Sequence, residues 1–239
     1  MSNEFPAFAP SLARLGQLYG LEPRQVEQLE QFGSALVHDE RAPTTVREPA
    51  RVRDDHLADA LVALELPLVR AALTVADLGA GAGVPGIPLA IALPLAHVSL
   101  VEGNGRKCEF MSAAIETLAL ANAAVVNGRA ETWRSGFGRN DVVTARALAP
   151  LDVVAEYAAP LLTLGGALVA WRGARDAKAE ADARRAADIL GLSVAEPLRV
   201  APYKGAENRH LHVMVKLVET PERFPRRDGV ARKRPLGRV

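Results

Sequence analysis

A ligand-binding loop is predicted where one acid and three glycines alternate along the chain, at Asp77, Gly79, Gly81 and Gly83. The run before it, Leu73 to Leu78, is short, apolar and partly β-branched, which suits a buried parallel strand. Glycine has no Cβ, so the backbone can turn sharply here and approach a ligand closely. Gly86 to Leu93 then predicts a helix whose first N–H groups face the loop. These residues together predict a site for a small polar ligand.

Two classes of ligand fit this loop. Gly81, Gly83 and Gly86 satisfy the G-x-G-x-x-G pattern of dinucleotide sites, although Pro85 removes a backbone donor that a pyrophosphate would use. The carboxylate of Asp77 favours instead a ligand with an ammonium group, and S-adenosylmethionine has an ammonium and no phosphate. Both classes predict a second acid at the end of the next strand, and Glu102 ends the run His97 to Glu102.

The composition is that of an ordinary globular α/β chain, with 239 residues, 49% hydrophobic and 24% charged. The single cysteine, Cys108, excludes a disulfide framework, and no cluster has the spacing of a zinc site. Neither a secretion signal nor a membrane span is expected, so we predict a cytoplasmic location and no membrane partner. The net charge is +1, but residues 222–239 carry seven basic and two acidic residues. Such a basic tail often binds nucleic acid, although it can also serve solubility alone.

The apolar runs and the distribution of charge predict three segments: an N-terminal helical extension (1–66), an α/β domain that would carry the catalytic site (67–221) and the basic tail (222–239). In the extension, a helix is expected from about Arg51 to Leu66, with His56 and Asp59 on one face. In the domain, strands alternate with helices until two final strands, Leu192 to Val200 and His210 to Leu217, have no helix between them. This order predicts a mostly parallel seven-stranded sheet with an antiparallel C-terminal hairpin, as in the Rossmann-like class I methyltransferases. Arg146 should follow the fourth strand at the edge where ligands bind.

Five stretches carry a resemblance to a known family: Asp77 to Leu89, Gly128 to Glu131, Thr144 to Ala147, and the tail motifs Arg223 to Gly229 and Arg232 to Leu236. Over about residues 44–236 the chain resembles the bacterial 16S rRNA guanine-N7 methyltransferases called RsmG or GidB. The resemblance implies the fold already predicted, S-adenosylmethionine as cofactor, and 16S rRNA in the small ribosomal subunit or an assembly particle as partner. The chain departs from the family's pattern at two positions: Ala60 stands where the family usually has Ser, and Arg172 stands where it usually has Lys.

The resemblance implies positions for the functional residues. Gly79 and Val84 would contact the methionine and ribose portions, Ala130 and Glu131 the adenine, and Arg146 the cofactor pocket and the entry for the base. We therefore expect the cofactor to be bound by Asp77, Gly79, Gly81, Gly83, Val84, Glu102, Ala130, Glu131 and Arg146. RNA contacts are expected from His56, Asp59, Arg226, Arg227, Arg232, Lys233 and Arg234.

The chemistry implied by the resemblance needs placement more than acid–base catalysis. Guanine N7 has an in-plane lone pair and its methylated product is cationic, so no catalytic base and no metal are expected. Arg146 is the candidate for orienting the base, and the enzyme is expected to be a monomer. Two alternatives remain open on the residues alone: a nicotinamide-dependent oxidoreductase, which shares the glycine loop and Glu102, and a non-catalytic RNA-binding module, which would explain the tail.

Overall fold

One eight-stranded sheet forms the centre of the computed structural model, which describes residues 9–238. Its strands are β1 (Thr74–Leu78), β2 (His97–Glu102), β3 (Ala123–Asn127), β4 (Asn140–Arg146), β5 (Leu162–Arg172), β6 (Leu192–Val194), β7 (Leu198–Val200) and β8 (Arg209–Lys216). They are ordered β3-β2-β1-β4-β5-β8-β6, and β7 also pairs with β8. The first five strands are parallel, whereas β8 is antiparallel to β5, β6 and β7.

The position of the ligand site follows from the strand order. The chain builds outward from β1 through β2 to β3, then returns to pair β4 with the other side of β1. In register, Leu78 of β1 lies between Val101 of β2 and Ala145 of β4. The segments that follow these three strands therefore leave the sheet side by side, at the switch point where open α/β sheets bind ligands.

Ten α-helical segments surround the sheet within residues 9–238: α1 (Ala9–Tyr19), α2 (Pro23–His38), α3 (Pro49–Arg51), α4 (Asp59–Leu61), α5 (Pro67–Arg70), α6 (Gly86–Ala92), α7 (Gly105–Thr117), α8 (Leu151–Ala158), α9 (Ala177–Leu190) and α10 (Val230–Lys233). Short 3-10 helices are Val62–Glu65, Ala130–Thr132, Arg134–Gly136 and Ala159–Leu161. No helix in this part of the chain is long and apolar enough to cross a membrane.

The helix expected near residues 51–66 is present but is not a regular α-helix. A π-helix, Val52–Ala58, lies between α3 and α4, and a 3-10 helix completes the segment. We call the continuous stretch 49–65 the composite helix. A π-helix has i→i+5 hydrogen bonds, so each turn contains about one more residue than a turn of α-helix. Such insertions often occur at functional sites.

The N-terminal helices pack on the sheet layer. Leu29 and Phe32 of α2 are fully buried in the same cluster as residues of β1 and α6. Gln25 donates to the carbonyl of Ile91 at 2.6 Å, and Gln28 donates to the carbonyl of Leu118 at 2.7 Å. The helical extension thus shares its core with the sheet, and the domain boundaries at residues 66 and 221 stay predictions.

The basic tail is folded against the opposite layer. Phe224 and Ala231 are buried in the cluster that contains α8 and α9. Arg226 forms an ion pair with the buried Glu156, its Nε lying 2.8 Å from Oε1. Arg185 of α9 donates to the carbonyl of Gly237 at 2.7 Å. This segment is therefore a packed part of the fold and not an extended arm.

Candidate active site

The glycine loop turns directly after β1. Gly79, Gly81 and Gly83 have φ values of 65°, 60° and 86°, a region that only glycine adopts without strain. The loop is closed by hydrogen bonds from the N–H of Gly83 to Ala80 O and from the N–H of Ile87 to Gly83 O, both 2.7 Å. These bonds lead the chain directly into α6.

Asp77 lies beneath this loop and is fully buried. Its Oδ2 accepts from the N–H of Gly86 at 2.9 Å, and its Oδ1 accepts from the hydroxyl of Thr144 at 2.8 Å. Burial raises the pKa of Asp77 to about 7, against the lowering effect of these two hydrogen bonds. The carboxyl group therefore ties the start of α6 to β4, and Asp77 is not among the residues that line the cavity above it.

Glu102 ends β2 and faces the glycine loop. Its Oε2 accepts from the N–H of Gly81 at 3.1 Å, and its Oε1 accepts from the N–H of Asn104 at 2.9 Å. Each carboxylate oxygen has more than one lone pair, so both can accept further hydrogen bonds from a ligand. Asn104 in turn caps α7 by accepting from the N–H groups of Arg106 and Lys107.

A cavity of about 670 Å³ opens between these elements at the carboxyl edge of the sheet. Of the residues expected to bind the cofactor, four line it: Gly79, Glu102, Ala130 and Glu131. Gly81, Gly83 and Val84 are not among its lining residues. They belong to the loop that bounds it, and their cofactor contacts stay predictions. The remaining walls come from Leu78, Val101, Gly103, Asn104, Lys107, Gly128, Arg129, Ala147, Leu148, Tyr157 and Arg232.

A second cavity, of about 420 Å³, lies beside the first, and Ala147 lines both. Its other lining residues are Asp55, His56, Asp59, Arg146, Trp171, Arg172, Gly173 and Arg209. Ala147 has a φ of 55°, which is unusual for a residue with a side chain. Strained residues of this kind concentrate at active sites, where the surrounding structure holds them in place.

Arg146 joins the composite helix to the sheet. One terminal nitrogen donates to the carbonyl of Asp55 at 2.5 Å and to Oδ2 of Asp59 at 3.0 Å. The other lies 3.1 Å from Nδ1 of His56. Arg146 therefore lines the second cavity and is not among the residues that line the first, and the contacts expected for it with the cofactor and the entering base stay predictions. Both of its terminal nitrogens already have partners in the composite helix.

The two residues expected on one helix face, His56 and Asp59, do lie together in this network. Burial and the charge of Arg146 lower the pKa of His56 to about 4, so the imidazole is neutral at physiological pH. Nδ1 lies 3.1 Å from a terminal nitrogen of Arg146 and 3.2 Å from the carbonyl of Asp55, and Nε2 lies 3.0 Å from the hydroxyl of Thr44. Burial raises the pKa of Asp59, and Arg146 acts against that rise.

The predicted RNA-binding residues of the tail divide into three groups. Arg226 is bound to Glu156 and to the carbonyl of Arg234, so its guanidinium is committed within the protein. Arg232 lines the first cavity and donates to the carbonyl of Leu148 at 3.0 Å. The side chains of Arg227, Lys233 and Arg234 are exposed, and their contacts with RNA stay predictions.

Sequence reasoning did not assign the residues that complete the second cavity. Trp171 of β5 donates from its indole N–H to the carbonyl of Asp59 at 2.7 Å. Arg209, at the start of β8, lies 3.5 Å from Asp59, and the hydroxyl of Tyr203 donates to Asp55 at 2.5 Å. These residues stand more than 100 positions after the composite helix, so no local spacing could reveal them. The parallel pairing of β5 with β4 brings Trp171 beside Arg146, and the antiparallel pairing of β8 with β5 brings in Arg209.

The sequence of the chain matches known proteins over most of its length. The family model GidB, rRNA small subunit methyltransferase G, matches residues 25–211. A ribosomal RNA small subunit methyltransferase G from Rubrobacter xylanophilus is 41% identical over 219 residues, covering 89% of this chain and 84% of the relative. One from Chloroflexus aggregans is 38% identical over 227 residues, covering 90% and 92%.

Solved structures are similar at much lower sequence identity. A SAM-dependent methyltransferase from Aquifex aeolicus has a TM-score of 0.55 and 17% identity, covering 70% of this chain and 94% of that one. The fibrillarin of Aeropyrum pernix, solved with S-adenosyl-L-methionine, has a TM-score of 0.51 and 18% identity, covering 66% and 73%. At such identities the likeness shows the fold alone, and it confirms the predicted class I methyltransferase architecture.

Proposed function

Because this chain belongs to the rRNA small subunit methyltransferase G family, we propose that it methylates N7 of a guanine in 16S rRNA with S-adenosylmethionine as the methyl donor. Membership confirms the family that the sequence resembles and the enzyme class expected from it. It decides against the two hypotheses that the residues alone left open, the oxidoreductase and the non-catalytic RNA-binding module.

The first cavity fits S-adenosylmethionine. A Cβ at Gly79 would lie 2.5 Å from Leu148 Cδ1, so the loop can pack this closely against the cavity wall only because the residue is glycine. Glu102 and Glu131 provide acceptors for ribose hydroxyl and adenine amino groups, and their negative charge suits a cationic ligand. Ala130 lines the same cavity beside Glu131, where we place the adenine.

The protein's own contribution is to place the two reactants and exclude water. The cofactor supplies an electrophilic methyl group. Guanine N7 has a free lone pair and loses no proton, so no residue has to act as a base. Holding the reacting atoms about 3–3.5 Å apart and in line can supply about 7–11 kcal/mol of rate enhancement in well-oriented systems.

The observation that carries this proposal is the pair of adjoining cavities. The glycine loop and Glu102 border one, the composite helix borders the other, and Ala147 lies between them at the end of β4. A cofactor in the first and a base in the second would meet at this strand end. The strained backbone of Ala147 supports a role at the meeting point.

The RNA is proposed to approach across the rim formed by the tail. Arg232 lies at the mouth of the first cavity, and Arg227, Lys233 and Arg234 are exposed nearby in sequence. Basic side chains contribute sequence-independent affinity for phosphates. We propose that the enzyme acts as a cytoplasmic monomer on the small subunit or on an assembly particle.

Methylation of small subunits from a strain lacking the protein tests the proposed function. Purified protein and labelled S-adenosylmethionine should place one methyl group on a guanine of 16S rRNA, and mass spectrometry of nuclease fragments should locate it at N7. A methyl group at another atom, or none with saturating cofactor, would contradict the proposal.

Glu102→Gln should weaken cofactor binding by about 1–3 kcal/mol, because the amide offers one acceptor where the carboxylate offers two. Calorimetric titration with S-adenosylmethionine measures the change. Glu109→Gln is the matched control, since this residue is exposed on α7 and should leave the affinity unchanged. Equal affinities for the wild type and Glu102→Gln would remove Glu102 from the site.

A further inference from the structure

Buried polar atoms without a hydrogen-bond partner concentrate at the second cavity. Three such side-chain atoms occur in residues 9–238, and two of them, Asp59 Oδ1 and Arg172 Nε, belong to residues that line it. Each group has one bonded atom beside the unpartnered one: Asp59 Oδ2 accepts from Arg146, and a terminal nitrogen of Arg172 donates to the carbonyl of Ala149 at 2.6 Å. Buried polar groups are normally paired. An acceptor lacking a donor and a donor lacking an acceptor therefore belong to two residues that line the same cavity, and Asp152, the carboxylate that interacts with Arg172, is not among the residues that line it.

Arg209 places its positive charge beside Asp59 but does not form a good hydrogen bond to Oδ1. Its Nε lies 3.5 Å from Oδ1, which is too long for a good hydrogen bond. The side chain of Arg209 is 37% exposed, and a terminal nitrogen donates to the hydroxyl of Tyr203 at 3.0 Å. The guanidinium can thus turn toward Tyr203 and solvent, which would leave Oδ1 to a donor from a ligand.

We propose that the second cavity receives the target guanine, and that Asp59 selects it by accepting a hydrogen bond from the 2-amino group on Oδ1. This inference rests on the proposed function. Guanine presents donors on one edge and the O6 acceptor beside them, and arginine is the common donor to O6. Arg172 Nε supplies that donor. Adenine has no 2-amino group and carries a donor where guanine has O6, so it matches neither unpaired atom.

The position of the carboxylate also suits the reaction. Transfer of the methyl group moves positive charge onto the guanine ring, which makes its 2-amino group a stronger donor. A carboxylate that accepts from this group therefore binds the transition state more tightly than the ground state. Asp59 is only 3% exposed, and water screens the interaction little there.

The test compares guanine with inosine at the methylated position of reconstituted small subunits. Inosine keeps N7 and O6 and lacks only the 2-amino group. The wild type should methylate inosine at least about tenfold more slowly than guanine, the discrimination expected for one specific base contact. In Asp59→Asn that preference should disappear, because the amide bound to Arg146 through its oxygen presents a donor where Oδ1 stood. The four rates form a double-mutant cycle.

Asp54→Asn is the matched control. Asp54 lies on the same composite helix as Asp59, forms an ion pair with Arg53 at 2.7 Å and does not line the cavity, so this variant should keep the preference for guanine. Equal wild-type rates on guanine and inosine would overturn the inference, even if Asp59→Asn failed to fold. A preference retained in a folded Asp59→Asn would also overturn it. Failure of the wild type on unmodified subunits would instead refute the proposed function.

Discussion

Gly86 stands where the start of α6 approaches β1 and β2 most closely. A Cβ at this position would clash with Leu100 and lie 2.9 Å from Asp77 Oδ2, so Gly86→Ala must displace the helix start or break its hydrogen bond to Asp77. We expect a loss of about 1–3 kcal/mol in the free energy of unfolding, the usual cost of overpacking. Urea denaturation measures it.

The control for Gly86→Ala is Gly105→Ala. Gly105 also begins a helix, but a Cβ there meets only Asn127 Nδ2 at 4.0 Å. This variant should be neutral or slightly stabilising, because alanine favours helix over glycine. Equal effects of the two substitutions would show that the close approach at Gly86 contributes nothing specific.

Asp77 should make stability depend on pH in a direction that is unusual for an aspartate. Its pKa is about 7 in the folded protein, against an ordinary value of 3.8 for an exposed aspartate, so the folded chain binds the proton more tightly than the unfolded chain. Its contribution to the free energy of unfolding is therefore largest at low pH and falls as pH rises from about 4 to about 7. Asp77→Asn removes this ionisation, so the variant should gain stability relative to the wild type over that range.

Denaturation at several pH values tests this prediction, with Asp188→Asn, an exposed site on α9, as the control. The difference between wild type and Asp77→Asn should change with pH, whereas the difference for Asp188→Asn should stay constant. Parallel curves for all three proteins would mean that Asp77 does not change its ionisation between the folded and unfolded chain in this range.

At the scale of the element, Arg146 should stabilise the composite helix. Arg146→Ala leaves the buried Asp59 without its bonded partner and frees the carbonyl of Asp55, so we expect a loss of about 3 kcal/mol and a strong fall in methyl transfer. Arg51→Ala is the control, since the Arg51 side chain is 65% exposed in its pair with Asp55 and should contribute less than about 1 kcal/mol. Lost activity at unchanged stability would favour direct contact of Arg146 with the base.

Local patterns predicted most elements because each strand of the sheet's centre is a separate apolar run. β2 has the bounds expected from its sequence, His97–Glu102. The run Leu192 to Val200 is instead divided into β6 and β7, and Pro197 between them has no N–H for the ladder. The π-helix was also not predicted, because its contacts come from Arg146, Tyr203 and Arg209, far along the chain.

Contacts between residues far apart in the chain limited the prediction of the site in the same way. The glycine loop and Glu102 could be placed from sequence because strand ends meet at the switch point. Asp77 was expected to face the ligand, but its residue type at a strand end fits a buried anchor equally well. Thr144 and Gly86, which donate to its two oxygens, show that Asp77 is such an anchor, and its contact with the cofactor stays a prediction.

At the scale of the molecule, the tail contributes both to the cavity proposed for the cofactor and to the surface proposed for RNA, which the sequence analysis had assigned to different parts of the chain. Composition predicted a basic arm for RNA, and charge alone could not show that Phe224 and Ala231 are buried. Within the tail, Arg226 reaches Glu156 and Arg232 reaches the wall of the first cavity. RNA affinity and cofactor affinity should therefore respond differently to removing the whole tail and to removing its exposed charges.

Deletion of residues 222–239 should lower stability and weaken both cofactor and RNA binding, because it removes buried contacts together with the charge. The triple variant Arg227→Ala, Lys233→Ala and Arg234→Ala changes only exposed side chains, so it should retain wild-type cofactor affinity while RNA affinity falls. If each of the three cations neutralises one phosphate, the slope of log affinity against log salt should become shallower by about 2. Titrations of RNA at several salt concentrations and of S-adenosylmethionine by calorimetry measure both effects. An unchanged salt slope would remove these three residues from the RNA interface, and loss of cofactor affinity in the triple variant would show that they too support the first cavity.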